Sequence, residues 1–203
     1  GRNPHSHSAP LLAYLRLLTL DRAKRDPLKA ALSALKQKGA TRLLLDLRDC
    51  ASGSVDDAVR VAGLFLSPGP VVLLQDRSGA RVTKASTTSA VWTVPIFVLE
   101  NGGSAGGAEA LAAALRLRAK AQILGETTYG LGSNQELVPL PSGDGLVLSA
   151  AKLLPPGGES WNKAGLKPDK EIPSTFNERA GLEPDSQLEK AIEFLRAPSE
   201  QAA

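Results

Sequence analysis

The stretch Asn101–Glu109 (NGGSAGGAE) sets one hydroxyl, Ser104, among four glycines. An apolar run precedes it (VPIFVL) and an Ala/Leu-rich run follows it (ALAAALRLR). Strand, small-residue turn and helix, in that order, is a setting in which many α/β enzymes carry a nucleophile. A second turn of the same kind, LRDCASGS, follows the run Leu43–Leu47. Both turns leave backbone N–H groups free at a helix start, and glycine allows close approach to them. A pair of such turns has the parts to hold a carbonyl or a developing oxyanion. Strand–turn–helix joints are also ordinary connections of α/β folds, and spacing alone favours that plainer role.

Other chemistries lack their residues. A Ser–His–Asp arrangement needs a histidine in the folded part. The only histidines are His5 and His7, in the N-terminal GRNPHSHS. Those two and Cys50 give no metal-ligand spacing, so no cofactor is expected. GETTYGLGS has glycines but no following lysine, so it is not a phosphate-binding loop. Asp46 and Asp49 lie near a turn, and Asp56 and Asp57 open a helix. Carboxylates at a helix start are dipole partners more often than acids or bases.

These turns need strands and helices to hold them. Leu11–Leu20 reads as a strand, and Asp26–Gly39 as a helix with Asp26 as cap, Pro27 in its first turn and Gly39 at its end. Thr41–Asp49 is near-continuously apolar, as in a strand covered on both faces. Val55–Leu66 reads as a helix capped by Ser54. VVLLQD and RVTKAS form a hairpin around RSGA. Val94–Glu100 and Ala121–Glu126 read as strands, with a helix between them. ELVPLPSGDGLVLSAAKLL reads as a hairpin turning at SGDG, and DSQLEKAIEFLRA as a helix capped by Asp185 or Ser186. Strand and helix alternate, so the class is α/β with a largely parallel sheet.

A length of 203 residues fits one domain with a sizeable core, expected over residues 11–203. Residues 1–10 read as a disordered or cloning-derived extension. The chain has no methionine, so it reads as an excised piece of a longer protein. The net charge of +3 is small and dispersed, and its densest cluster, Arg116, Arg118 and Lys120, suits a solvated helix end better than nucleic acid. No apolar run approaches the roughly 18–20 residues of a membrane span. One cysteine excludes an internal disulfide and leaves the compartment open.

Taken together, the blocks resemble the C-terminal processing peptidases, also called tail-specific proteases. LLLDLRDCASGSVDDAVRVAGLFL, PIFVLENGGSAGGAEALAAAL, ILGETTYGLGSNQ and GLKPDKEI are similar to successive blocks of that family, from about Tyr14 to Leu195. The resemblance implies a ClpP/crotonase-like core, with a mainly parallel sheet flanked by helices plus β-hairpins. It also implies a serine peptidase with a Ser–Lys dyad. In ungapped register from Glu109, however, the nucleophile position falls on Gly106 and the general-base position on Leu131. The supporting glutamine is kept as Gln135. In the other turn, Ala51 and Ser52 replace a Pro–Gly pair, and Gly53 remains.

A Ser–Lys mechanism needs a hydroxyl to attack and a neutral amine to take its proton. Glycine and leucine supply neither, and such residues act as a unit. The expectation is a pseudopeptidase that binds peptide or protein, with Gly53 and Gly107 presenting N–H groups and a sheet edge accepting an extended chain. A peptide, a protein C-terminus or an active family member is the expected partner. The same resemblance leaves room for a groove that Leu131 has filled.

Two alternatives remain. One is an active endopeptidase with Ser104 or Ser52 as substitute nucleophile and Lys120 or Lys152 as amine. Here Ser104 reads better as a helix N-cap. The other is a carrier of apolar small molecules, which an aromatic content of 4% does little to support. The resemblance further implies an exported protein, in the periplasm, cell envelope or thylakoid lumen, with a PDZ domain upstream.

Overall fold

A computed structural model describes residues 11–21, 25–158, 160–175 and 184–197. The N-terminal extension, with His5 and His7, lies outside them. The chain begins with β1 (Leu12–Arg16), α1 (Arg25–Gln37), β2 (Arg42–Asp46), α2 (Val55–Ala62), β3 (Gly69–Gln75) and β4 (Arg81–Ser86). It continues with β5 (Ile96–Glu100), α3 (Gly107–Ala119), β6 (Gln122–Gly125), β7 (Ser133–Pro139), β8 (Gly145–Leu154), β9 (Lys170–Glu171) and α4 (Ser186–Arg196).

One sheet is wholly parallel, in the order β1-β2-β5-β6-β9. The other is antiparallel, in the order β4-β3-β8-β7. In the parallel sheet Leu45 lies opposite Val98, and Val98 opposite Ile123. This stripe faces the larger core with Leu32, Val61 and Leu111 from α1, α2 and α3. Leu44, Leu99 and Leu124 face the other way, toward Ala191 and Leu195 of α4. Helices on both faces explain why successive residues of β2 are apolar.

Two helices show how the sequence sets their ends. Ser54 caps α2 by accepting from Asp57 N–H, while the Asp57 carboxylate accepts from Ser54 N–H at 2.9 Å. The expected helix to Leu66 stops at Ala62. A Cβ at Gly63 would lie 2.2 Å from Thr88 Oγ1, so β4's outgoing loop crosses where the helix would continue. α3 is buried from Gly107 to Leu115. A helix enclosed on nearly all sides needs small residues, hence its alanines.

Other expectations shift by a few residues. The strand expected over Leu11–Leu20 ends at Arg16. Leu17 still bonds Asp46 O, and Leu20 turns inward to bond Ser52 O. Of the two proposed caps for α4, Asp185 is the one used. β9 has only two exposed residues and forms against β6, so no sequence pattern marks it. No described helix is long and apolar enough to cross a membrane.

Candidate functional site

The carboxyl ends of β2, β5 and β6 open onto one region, the place where open α/β sheets bind ligands. The two glycine-bearing turns meet there. Ala105 N–H donates to Cys50 O at 3.0 Å, and Ser104 Oγ donates to Leu47 O at 2.9 Å. Asn101 Oδ1 accepts from Asp49 N–H and Gly103 N–H, and its Nδ2 donates to Asp49 Oδ1 at 2.9 Å. Gly53 and Gly107 come together as well: a Cβ on Gly107 would lie 3.1 Å from Gly53 O. A Cβ on Gly53 would lie 2.7 Å from Leu20 Cβ, at a φ of +104°. Neither glycine N–H has an acceptor among the described residues.

Ser104 is not the N-cap of α3. It is fully buried, and its hydroxyl binds the neighbouring turn and accepts from Asn101 N–H at 3.1 Å. The cap is Gly106, with φ +58° and ψ −108°. That is a conformation side chains resist, and such strain clusters at functional sites. With no side chain on Gly106, Glu109 supplies the cap interaction by accepting from Gly106 N–H at 2.9 Å.

Glu109 does more than cap. It is fully buried, and its Oε1 accepts from Thr128 Oγ1 at 2.5 Å and from Gly130 N–H at 2.7 Å. Tyr129 N–H adds a bond to Ser104 O at 3.0 Å. These bonds lash the 126–132 loop to the Gly106 turn. As a result Leu131 faces Gly106: a Cβ on Gly106 would lie 3.5 Å from Leu131 Cδ2, an ordinary contact. Gln135, on β7, lines the same hollow as Leu131, about 450 Å³ in volume.

Sequence reasoning missed the tie made by Glu109 and Thr128. A Glu three residues after the cap is a capping-box signal and could have flagged the first half. Nothing in the sequence announces the second half, which depends on where the 126–132 loop returns. Of the proposed amines, Lys152 lines this hollow. Lys120 lies beyond the C-terminus of α3, about 20 Å of helix from Gly106.

The turns rest on a buried floor of ionisable side chains. Glu100 is fully buried, and neither of its oxygens has a partner among the described residues. Burial, then the nearby Glu109, raises its carboxyl well above the ordinary range. Cys50 is also buried, and burial, followed by the neighbouring Glu100 and Asp46 carboxyls, pushes its thiol up to about 12. That thiol is no nucleophile at neutral pH. Beside it, Arg48 grips Asp46 and Asp185 with bonds of 2.7–3.0 Å. Burial works against its charge, but the two carboxylates outweigh burial and hold the guanidinium charged.

This chain resembles known proteins over most of its length. It matches Peptidase family S41 over residues 11–172. It is 31% identical over 171 residues to the carboxyl-terminal-processing peptidase 2, chloroplastic, of Arabidopsis thaliana, covering 83% of this chain and 33% of that protein. It is 31% identical over 186 residues to a carboxyl-terminal-processing protease of Picosynechococcus, covering 91% of this chain and 45% of that one. The chain thus spans between a third and a half of the length of these relatives. Among solved structures, a photosystem II D1 C-terminal processing protease superposes with a TM-score of 0.75 at 31% identity, over 82% of this chain and 45% of that one. A Streptococcus agalactiae lipoprotein at 17% identity and a TM-score of 0.70 shares the fold. The ClpP/crotonase-like core expected from the sequence blocks agrees with these neighbours, and the chain belongs to peptidase family S41.

Proposed function

We propose that this chain is a peptidase-fold domain that holds peptide or protein segments without cleaving them. The observation that carries this reading is the pairing of Gly106 with Leu131. By resemblance they stand at the nucleophile and base positions, and in the folded chain Leu131 faces the place a Gly106 side chain would take, its Cδ2 3.5 Å from where a Cβ would lie. The site thus keeps the juxtaposition that a Ser–Lys dyad requires while lacking both functional groups. The retained parts suit binding: among the described residues, Gly53 and Gly107 have unused N–H groups, and β7 is an unpaired sheet edge that runs outward from Leu131. An extended peptide can add to such an edge by main-chain bonds.

The buried, doubly bonded hydroxyl of Ser104 argues against its use as a substitute nucleophile. The test is incubation with unstructured peptides carrying free C-termini, read by mass spectrometry, beside labelling with a fluorophosphonate serine probe. No cleavage and no label are expected. Turnover or labelling that Ser104→Ala abolishes would overturn the reading. An exported location is part of the same proposal, supported by the chloroplast relative, and fractionation of the source cells checks it.

A further inference from the structure

Between the β3–β4 turn and the root of the β7–β8 hairpin lies the hollow already met at Leu131, about 450 Å³ in volume. Its wall carries three cations, Arg77, Lys152 and Lys163, and a single acid, Asp76. None of the three cations is ion-paired among the described residues. Asp76 does not answer them. Its Oδ1 accepts from Ser78 N–H at 2.8 Å, Ser78 Oγ at 2.7 Å and Ala80 N–H at 3.0 Å, so the carboxylate is spent on its own turn. The wall is therefore net positive, with its cations unneutralised.

Lys163 is also held in place. Its N–H donates to Gly130 O at 2.8 Å, next to Leu131, and its φ is +67°, a conformation uncommon for a residue with a side chain. A Cβ on Gly132 would lie 2.6 Å from Asn162 Cα, so the Leu131 loop and the Lys163 turn are packed backbone to backbone. The backbone that carries Lys163 is thus fixed relative to the Leu131 loop.

We propose that this hollow is a carboxylate subsite for a bound peptide. A chain laid along β7 past Leu131 brings an acidic group into it, where Arg77, Lys152 and Lys163 meet the charge. The anion is a carboxylate, from either an Asp or Glu side chain or the peptide's own C-terminus. This inference rests on the peptide-binding reading above and assigns that site its specificity.

The test is fluorescence anisotropy with the 203-residue chain and three peptides N-terminally labelled with the uncharged dansyl group. The first is Ala-Val-Ala-Leu-Ala with a free C-terminus, the second is its C-terminal amide, and the third is the amide with Glu in place of Leu. At least one carboxylate form should bind about 10-fold or more tighter than the neutral amide, a ratio set by charge-assisted bonds. The gain should shrink as salt is raised. Whichever acidic form gains identifies the source of the carboxylate. The triple variant Arg77→Gln, Lys152→Gln, Lys163→Gln should bind the acidic forms no tighter than the neutral amide; all three residues are exposed, and circular dichroism checks the fold. Equal binding of all three peptides, or a preference that survives the triple variant, overturns the subsite and leaves peptide binding standing. No binding of any peptide up to about 1 mM overturns both.

Discussion

Three donors converge on the buried Glu109 carboxyl, from Gly106, Thr128 and Gly130. Glu109→Gln keeps the shape but turns one acceptor oxygen into an NH2 that meets a donor. Each bond of this kind is worth about 1.5–3 kcal/mol, so the variant should lose about 3 kcal/mol of unfolding free energy in urea. Gly130 N–H should lose hydrogen-exchange protection first, because it marks the tie to the loop. Glu100 makes the opposite case. Its native carboxyl titrates above the ordinary range, chiefly through burial, so the folded chain keeps a proton that the unfolded chain releases. That contribution to stability is whole below the ordinary Glu range and is lost as pH rises toward the raised native value. Unfolding free energy should fall by up to about 1.4 kcal/mol per pH unit across that window. Glu100→Gln should flatten the decline and be the more stable chain at pH 8. An unchanged slope would count against the raised titration.

The helix starts and turns were unevenly legible. Ser54 and Asp185 could be read as caps because their side chains act within three residues. Ser104 could not be placed, since its hydroxyl reaches Leu47, 57 residues away. The parallel character of the core sheet followed from alternating apolar runs and helices. β9 and the end of β1 did not, because both are decided by which neighbour the strand finds. The facing of Gly106 and Leu131 was implied by resemblance alone, as no spacing rule joins a helix start to a loop beyond the next strand. Two predictions belong to these elements. Ser54→Ala should cost α2 about 1 kcal/mol, read as a lower Tm. Gly106→Ala should cost about 1–3 kcal/mol through its positive φ and not through a clash, since its Cβ would sit at 3.5 Å from Leu131. The cost should therefore persist in a Leu131→Ala background; its disappearance there would point to steric conflict instead.

Across the whole molecule, one buried cation joins the catalytic-type turns to the last helix. Arg48 is 1% exposed and sits just past β2, between the carboxylates of Asp46 and Asp185, the N-cap of α4. Gln187 extends the link by accepting from Arg48 Nη1 and donating to Ile172 O, just beyond β9. Farther along, Arg42 Nη1 donates to Leu195 O, and Ala191 and Leu195 close the smaller core. α4 is therefore docked at its start by charge and along its length by apolar contact. Arg48→Met should take the guanidinium from two buried carboxylates and cost about 3–5 kcal/mol. The loss should be reduced by adding Asp46→Asn and Asp185→Asn, because neutral amides are cheaper to bury and Asn still caps a helix. If the triple variant is no more stable than the single one, the role of Arg48 is packing and not charge. In native-state hydrogen exchange the single variant should expose α4 amides ahead of those in β2, β5 and β6. That order would show α4 coming away as a unit from a sheet that stays folded beneath it.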